Sequence, residues 1–310
     1  IREPTAFQCG VVRFLMSLTA AIFAFFFVGG VILNGKLRDL AISAAGGFVL
    51  FILMQFVFDP LGPMCSSSKR EEKPQISQAM EQLRKPDMSS RVAGIYALER
   101  IAKDSKSDHW RIVEILTSYI RSNYPWNVRN SSASHATAED VQAIVKVISE
   151  RTWAYEDGPN QIIDLSKSDL QGQADFTRAH LVRAVFSESN LKGALFIKAD
   201  LSAAYLTDAV LETAKFYEAT LVGTNLSKSN LRGASFRNAN LKQAILTNAD
   251  LYGDNFYNAD LTGTILTGAD LTNADLREAK GLTPDQIKAA KNYDKAVLSS
   301  TLQEQIKGGG

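Results

Sequence analysis

The sequence predicts a four-sided β-coil of about six turns. A small α-helical module precedes it, and a pair of long apolar helices precedes that. Three observations carry this reading. From Phe176 to Leu276 every fifth residue is leucine or phenylalanine, twenty-one times in succession. Two places before each stands a small residue such as Ala179, Ser189 or Ala269, with Asp254 the outlier. Phe176, Phe196, Phe216, Phe236 and Phe256 are twenty residues apart, which fixes four blocks to a turn.

A period of five is neither the 3.6 of a helix nor the 2 of a flat strand, so each block must turn a corner. With the Leu or Phe and the small residue inward, residues twenty apart stack at about 4.8 Å, and the phenylalanines form one column. Each inward Leu or Phe contributes roughly 1.5–3 kcal/mol by leaving water. Two earlier blocks centre on Leu165 and Leu170, but Phe176 follows after six residues, which predicts a bulge or slip near Gly172–Asp175.

Blocks such as Ala199-Asp200-Leu201-Ser202-Ala203 and Ala239-Asn240-Leu241-Lys242-Gln243 closely resemble the pentapeptide-repeat family. The resemblance covers about residues 162–280 and implies a right-handed quadrilateral β-helix. Some members of that family mimic DNA and bind DNA gyrase. That mimicry relies on a strongly acidic rod, whereas residues 162–280 here hold 14 acidic and 12 basic side chains. A net of −2 is a poor imitation of a phosphate polymer.

Before the coil, residues 14–33 and 40–58 contain no charged side chain, and each is long enough to span a bilayer as a helix. The connector 34–39 permits only a helical hairpin, and a cleaved signal peptide would not be followed so closely by a second span. Arg2, Arg13, Lys69, Arg70 and Lys73 flank the hairpin, against Lys36 and Arg38 in the connector. This places both termini and the β-helix in the cytoplasm, at a bacterial inner membrane. Ala20 with Ala24, Ala41 with Ala45, and Ser43 with Gly47 are small pairs four apart that let helices approach closely, within the hairpin or between hairpins. Cys9 and Cys65 show no motif, and a reducing compartment is expected.

The order that follows is a transmembrane hairpin over 1–62, a polar linker over 63–74, a helical module over 75–160, the β-helix over 161–280, and a capping helix with a flexible tail over 281–310. In the module, helices are expected near 75–85, 89–103, 108–122 and 137–153. Val92, Ile95, Leu98, Ile101 and Ala102 form one apolar stripe, and Ile112, Ile115, Leu116 and Tyr119 another. Thr137 with Asp140 reads as an acidic capping box. The module is expected to cover the open end of the coil, as solenoids require. At the other end, Thr283-Pro284-Asp285 reads as N-cap, first-turn proline and acid of a helix running to about Lys291.

Catalytic and metal chemistry is not legible. His109, His135 and His180 have no ligand spacing, and no phosphate loop or nucleophile elbow occurs. No cofactor is expected, and the chain reads as a non-enzyme. The aspartates and asparagines before the inward leucines, such as Asp200, Asn240 and Asp260, read as turn hydrogen-bonders. Asp254, an inward carboxylate, reads as locally satisfied by backbone N–H groups, with a functional pocket as the alternative.

One outward column reads Val185, Tyr205, Asn225, Ile245 and Ile265. An apolar strip of this kind marks an interface, with Val185, Tyr205, Ile245 and Ile265 as its candidate residues. The function expected is a membrane-tethered interaction or oligomerisation scaffold whose partners are the lipid bilayer and either another protein or a second copy. The alternative is a toxin or defence effector whose clustered hairpins perturb the bilayer. A nucleic-acid partner is not expected, since the net charge is +1.

Overall fold

A computed structural model describes residues 74–126, 138–151, 161–172 and 174–308. The chain divides into two units, Ile1–Lys73 and Pro74–Gly310, and every described residue belongs to the second. Both expected spans, with Ala20, Ala24, Ala41, Ser43, Ala45 and Gly47, lie outside the described residues, as do the linker to Lys73, Thr137 and Trp153. No helix among the described residues is long and apolar enough to cross a membrane.

Four helices open the described part: α1 (Pro74–Leu83), α2 (Met88–Asp104), α3 (Lys106–Asn123) and α4 (Glu139–Ser149). The expected stripes face inward. Ile95, Leu98, Ile112 and Leu116 are fully buried, with Ile76 from α1 and Ile144 and Ile148 from α4. Asp87 starts α2 by accepting a hydrogen bond from the Ser90 N–H at 2.8 Å. Gly94 lets α1 lie close, because a Cβ there would sit 2.8 Å from the Ala79 carbonyl oxygen.

The coil forms by a local rule repeated without change. In each block from Phe176 to Leu276 the inward residue's carbonyl accepts from the N–H three residues on, as from Ala179 to Phe176 at 3.0 Å, closing a tight turn. The third residue of that turn is left-handed at every corner from Arg178 to Glu278. Between corners, short strands pair in parallel with the coils above and below, as Leu181 N–H to Asp200 C=O at 2.7 Å and Asp200 N–H to Ala179 C=O at 3.0 Å.

The phenylalanine column stacks as expected. Phe196, Phe216 and Phe236 lie face to face with centroids 5.0 and 4.7 Å apart and rings within 3° of parallel, and Phe176 and Phe256 extend the stack. Phe186, from the opposite wall, meets Phe176 and Phe196 edge-on at 5.5 and 5.9 Å.

The expected slip is present. Asp164 pairs with Val185 and Asp169 with Asn190, twenty-one residues apart, whereas Asp175 pairs with Leu195 at the regular twenty. The extra residue falls between Leu170 and Ala174, beside Gly172 with φ 91°. Absorbed at the base, it leaves every coil above in phase.

Both ends of the rod are covered. At the base, the strand after α3 pairs with the first coil through Trp126 N–H to Lys167 C=O (2.6 Å) and Asp169 N–H to Tyr124 C=O (2.8 Å). Arg121 donates to the Asp164 carbonyl, and Arg151 donates to the His180 carbonyl at 3.0 Å. At the top, the capping helix is shorter than expected. It spans Pro284–Lys288 (α5), and the residue completing its capping box with Thr283 is Gln286. It stops before Lys291 because the ladder recruits that residue: Lys291 pairs with Asp270, and Val297 pairs with Asp275. A final helix, Ser300–Gly308 (α6), buries Leu302.

Candidate interaction faces of the rod

Coils stacked every twenty residues turn each outward position into a column. Val185, Tyr205, Asn225, Ile245 and Ile265 are joined each to the next by parallel bridges, so they form one unbroken ladder on one wall. Tyr205 is 50% exposed and Ile265 46%, while Val185, Asn225 and Ile245 are half-buried by their neighbours. The corner that follows presents hydroxyls at the same heights: Ser187, Thr207, Ser227, Thr247 and Thr267. We call this wall the Tyr205 face.

The aspartates and asparagines act within turns. Asp200 Oδ1 accepts from the Ser202 N–H (3.0 Å) and hydroxyl (2.6 Å), Asp260 from the Thr262 N–H at 3.1 Å, and Asn240 from the Lys242 N–H at 3.2 Å. Side chains of opposite charge pair between neighbouring coils, with Lys192–Glu212 at 2.8 Å, Lys198–Glu218 at 3.3 Å and Lys242–Asp260 at 3.1 Å. Among these side chains the two signs interleave.

A second face lies outside the expectations drawn from the sequence. Arg237 lies between the rings of Tyr217 and Tyr257, its guanidinium carbon 5.4 Å from each centroid. One corner away, Arg232 covers Tyr252 at 4.2 Å and pairs with Asp250 at 3.1 Å. Cation–π contact ties these long side chains to tyrosines of neighbouring coils. The signal was available at twenty-residue spacing, but in the corner column instead of the strand column.

Asp254 is fully buried, in a column otherwise held by Ala174, Ala194, Ala214, Ala234 and Ala274. Its Oδ1 accepts from the Ala234 N–H at 2.9 Å, whereas Oδ2 has no partner. Backbone satisfaction is therefore half complete. Burial drives its pKa well above the usual carboxylate range, with the Ala234 N–H pulling the other way. Polar residues elsewhere at this position donate: the Thr224 and Thr264 hydroxyls reach the Leu201 and Leu241 carbonyls at 2.8 and 2.9 Å. Asp254 lines none of the three clefts beside Met80, Tyr96 and Ala102.

In the helical module the expected capping role of Asp140 gives way to a different one. The N-cap of α4 is Ala138, and no side chain caps it. Asp140 is instead buried and accepts from Arg91 Nε (2.8 Å), Tyr119 Oη (2.9 Å), Tyr124 Oη (2.7 Å) and the Val141 N–H (2.9 Å). A charge drawn into the core this way ties α2, α3 and α4 to the strand that docks the rod. Burial acts to raise the Asp140 pKa, but the hydrogen bonds from Tyr124, Arg91 and Tyr119 outweigh it and hold it below the usual range. The same burial, with the bond to Asp140, pushes Tyr124 up to about 12.

A cleft of about 660 Å³ beside this network is lined by Met80, Arg84, Arg91, Ser118 and Asn123 among others. It holds no nucleophile–base pair. Among the described residues no three His, Cys, Asp or Glu side chains gather to hold a metal ion.

The family profile of pentapeptide repeats matches the chain in eight copies, over residues 163–208, 194–233, 214–253 and 255–280. No curated protein matches the chain. Among solved structures, HetL, a pentapeptide repeat protein involved in heterocyst differentiation regulation in the cyanobacterium Nostoc, is 30% identical over 44% of this chain and 65% of its own, with a TM-score of 0.31. Rfr23 from the cyanobacterium Cyanothece is 28% identical over 39% of this chain and 65% of its own, with a TM-score of 0.24. A pentapeptide repeat protein of the Arabidopsis thaliana thylakoid lumen is 34% identical over 43% of this chain and 81% of its own, also at 0.24. The chain thus spans 65% of the length of each of the first two. At such TM-scores the superpositions carry no weight, and the likeness is one of repeated sequence. With eight matched copies, and a relative 34% identical of which it covers 81%, this chain belongs to the pentapeptide-repeat family.

Proposed function

We propose that this protein is a non-enzymatic interaction scaffold, held to a bilayer by its first sixty residues and offering one wall of a stiff rod to a protein partner. The observation that carries the reading is the unbroken outward ladder Val185–Tyr205–Asn225–Ile245–Ile265. Isolated exposed apolar residues are ordinary on a protein surface, whereas a registered column of them marks an interface. The tether is supported by the two uncharged stretches 14–33 and 40–58, with Ala20, Ala24, Ala41 and Ala45 among their small-residue pairs. DNA mimicry is set aside because opposite charges pair between coils, as Lys192 with Glu212, where a phosphate mimic needs a continuous anionic stripe.

The full-length chain carrying Ile245→Lys and Ile265→Lys tests the face. It is expected to lose its partner, or its self-association in detergent, while its thermal unfolding is unchanged. Retention of the same assembled mass would refute the assignment. Carbonate washing of membranes tests the tether separately, and a chain released into the wash has none. Ion leakage on overexpression that disappears with the hairpin would replace the scaffold by the bilayer-perturbing effector.

A further inference from the structure

The Tyr205 face is matched to itself. Its ladder carries no charge from Val185 to Ile265, and neither does the hydroxyl column at its corner. Charges occur only at the two edges. On the edge after the face they are Glu188, which lies 3.6 Å from Lys167 of its own rod, Asp208 and Lys228; on the edge before it, Arg183 and Lys242, the latter paired with Asp260.

Two arrangements can bring this face against the same face of another copy by a twofold axis. With antiparallel rods, each edge meets itself upside down about the height of Asn225. Lys228 then faces Lys228 of the other copy, and Glu188 faces the level of Gly268. With parallel rods, each edge meets the opposite edge of the other copy at the same height. Glu188 then faces Arg183, while Asp208, Lys228 and Lys242 face the uncharged levels of Ala203, Gly223 and Asn248. Across the ladder every residue meets its own kind, apolar on apolar, with Asn225 on Asn225 at the centre.

We propose that the Tyr205 face is covered by the Tyr205 face of a second copy, the two rods lying side by side and parallel. Complementary edge charges select this register, because like charges brought together oppose association while opposite ones fix orientation. The proposal rests on the tethered-scaffold reading for its strength. Five levels at about 4.8 Å and three strand residues at about 3.3 Å give a patch roughly 20 Å by 10 Å. That is well under the roughly 800 Å² per partner of a standard interface. Confinement to a membrane supplies the high effective concentration such a small contact requires.

Cysteine scanning of the full chain decides it. With Cys9→Ser and Cys65→Ser as background, single Tyr205→Cys and Ile265→Cys chains are oxidised in native membranes. Parallel pairing brings each introduced thiol to its own counterpart, so each variant alone is expected to give disulfide dimers at least tenfold above an Asn240→Cys control on the neighbouring wall. Antiparallel pairing would instead link Tyr205→Cys to Ile245→Cys in mixed samples and leave Tyr205→Cys alone unlinked; that result overturns the proposal, as does linkage no better than the control. Glu188→Arg is expected to cut the linked fraction severalfold, and adding Arg183→Glu to restore it. If carbonate washing holds the chain in the membrane and Ile245→Lys abolishes capture of a different protein while no cysteine links, the scaffold stands and the self-pairing falls.

Discussion

In the helical module Asp140 is ringed by Arg91, Tyr119, Tyr124 and the Val141 N–H, while in the rod Asp254 has the Ala234 N–H on one oxygen and nothing on the other. Both are fully buried. The module has no repeat to define its geometry, and it uses one saturated polar cluster to fix how helices forty-nine residues apart in sequence meet. The rod is defined many times over by its period, and tolerates a badly placed carboxyl because each coil answers only to its neighbours. Where geometry is redundant a fault stays local; where it is specified once, that one cluster cannot be lost.

Breaking the rod's redundancy should give the largest effect. Phe216→Ala removes the middle ring of the stack and is expected to destabilise by about 3–5 kcal/mol in urea unfolding. Phe216→Leu should recover most of this, since leucine fills the same position on the other walls. A loss as large with leucine would mean that aromatic stacking, not volume, holds the rod.

Asp140→Asn should destabilise by about 3 kcal/mol by leaving the partly buried Arg91 beside a neutral amide. For wild type, the Asp140 carboxyl is held below its ordinary value of 3.8, so its contribution is complete above that pH and is lost as pH falls further. The variant should lack that acid-limb decline. An unchanged unfolding curve at pH 7 would show the cluster to be ornamental.

Asp254→Ala should act in the opposite sense and at the other side of pH 4. The folded-state pKa of Asp254 lies well above its ordinary 3.8, so its penalty is absent in acid and grows as pH rises through the folded value. Replacement by alanine, which the same column carries in five other coils, should raise stability at pH 7 by about 1–3 kcal/mol and flatten the decline that begins above pH 3.8. Destabilisation at pH 7 would instead show that the carboxyl is neutral and donates to a coil carbonyl, as Thr224 does.

The smallest effect concerns the corners. Thr213 is β-branched yet left-handed, at φ 57°. Thr213→Gly should stabilise by up to about 1 kcal/mol, the relief of steric strain being offset in part by glycine's greater freedom when unfolded. A clear loss of stability would locate a favourable contact of the Thr213 methyl group in the turn.

The contrast also explains what the sequence disclosed. Twenty-one inward leucines and phenylalanines repeat one local rule, so the period alone determined the coil, the phenylalanine stack, the slip below Ala174 and the height of each Tyr205-face residue. Asp140 stood three places after Thr137, which is the spacing of a cap, and nothing local distinguished that reading from a partnership with Arg91. The sandwich of Arg237 between Tyr217 and Tyr257 lies in a corner column, which turns outward as the strand columns do but shows no run of like residues to mark it. Helix α5 ended early at Lys288 because Lys291 had a ladder partner, and such pairing is invisible to a cap-based reading.

The single extra residue between Leu170 and Ala174 has a further consequence. Since all coils above it share one phase, excising any twenty consecutive residues between Phe186 and Leu266 should rejoin the wall seamlessly and lower its height by one rung of about 4.8 Å. Removal of any number not divisible by five would throw leucines out to solvent. The length of this protein is therefore a counted quantity, like the gradations of a ruler, and lineages can add or drop whole rungs without redesigning either end.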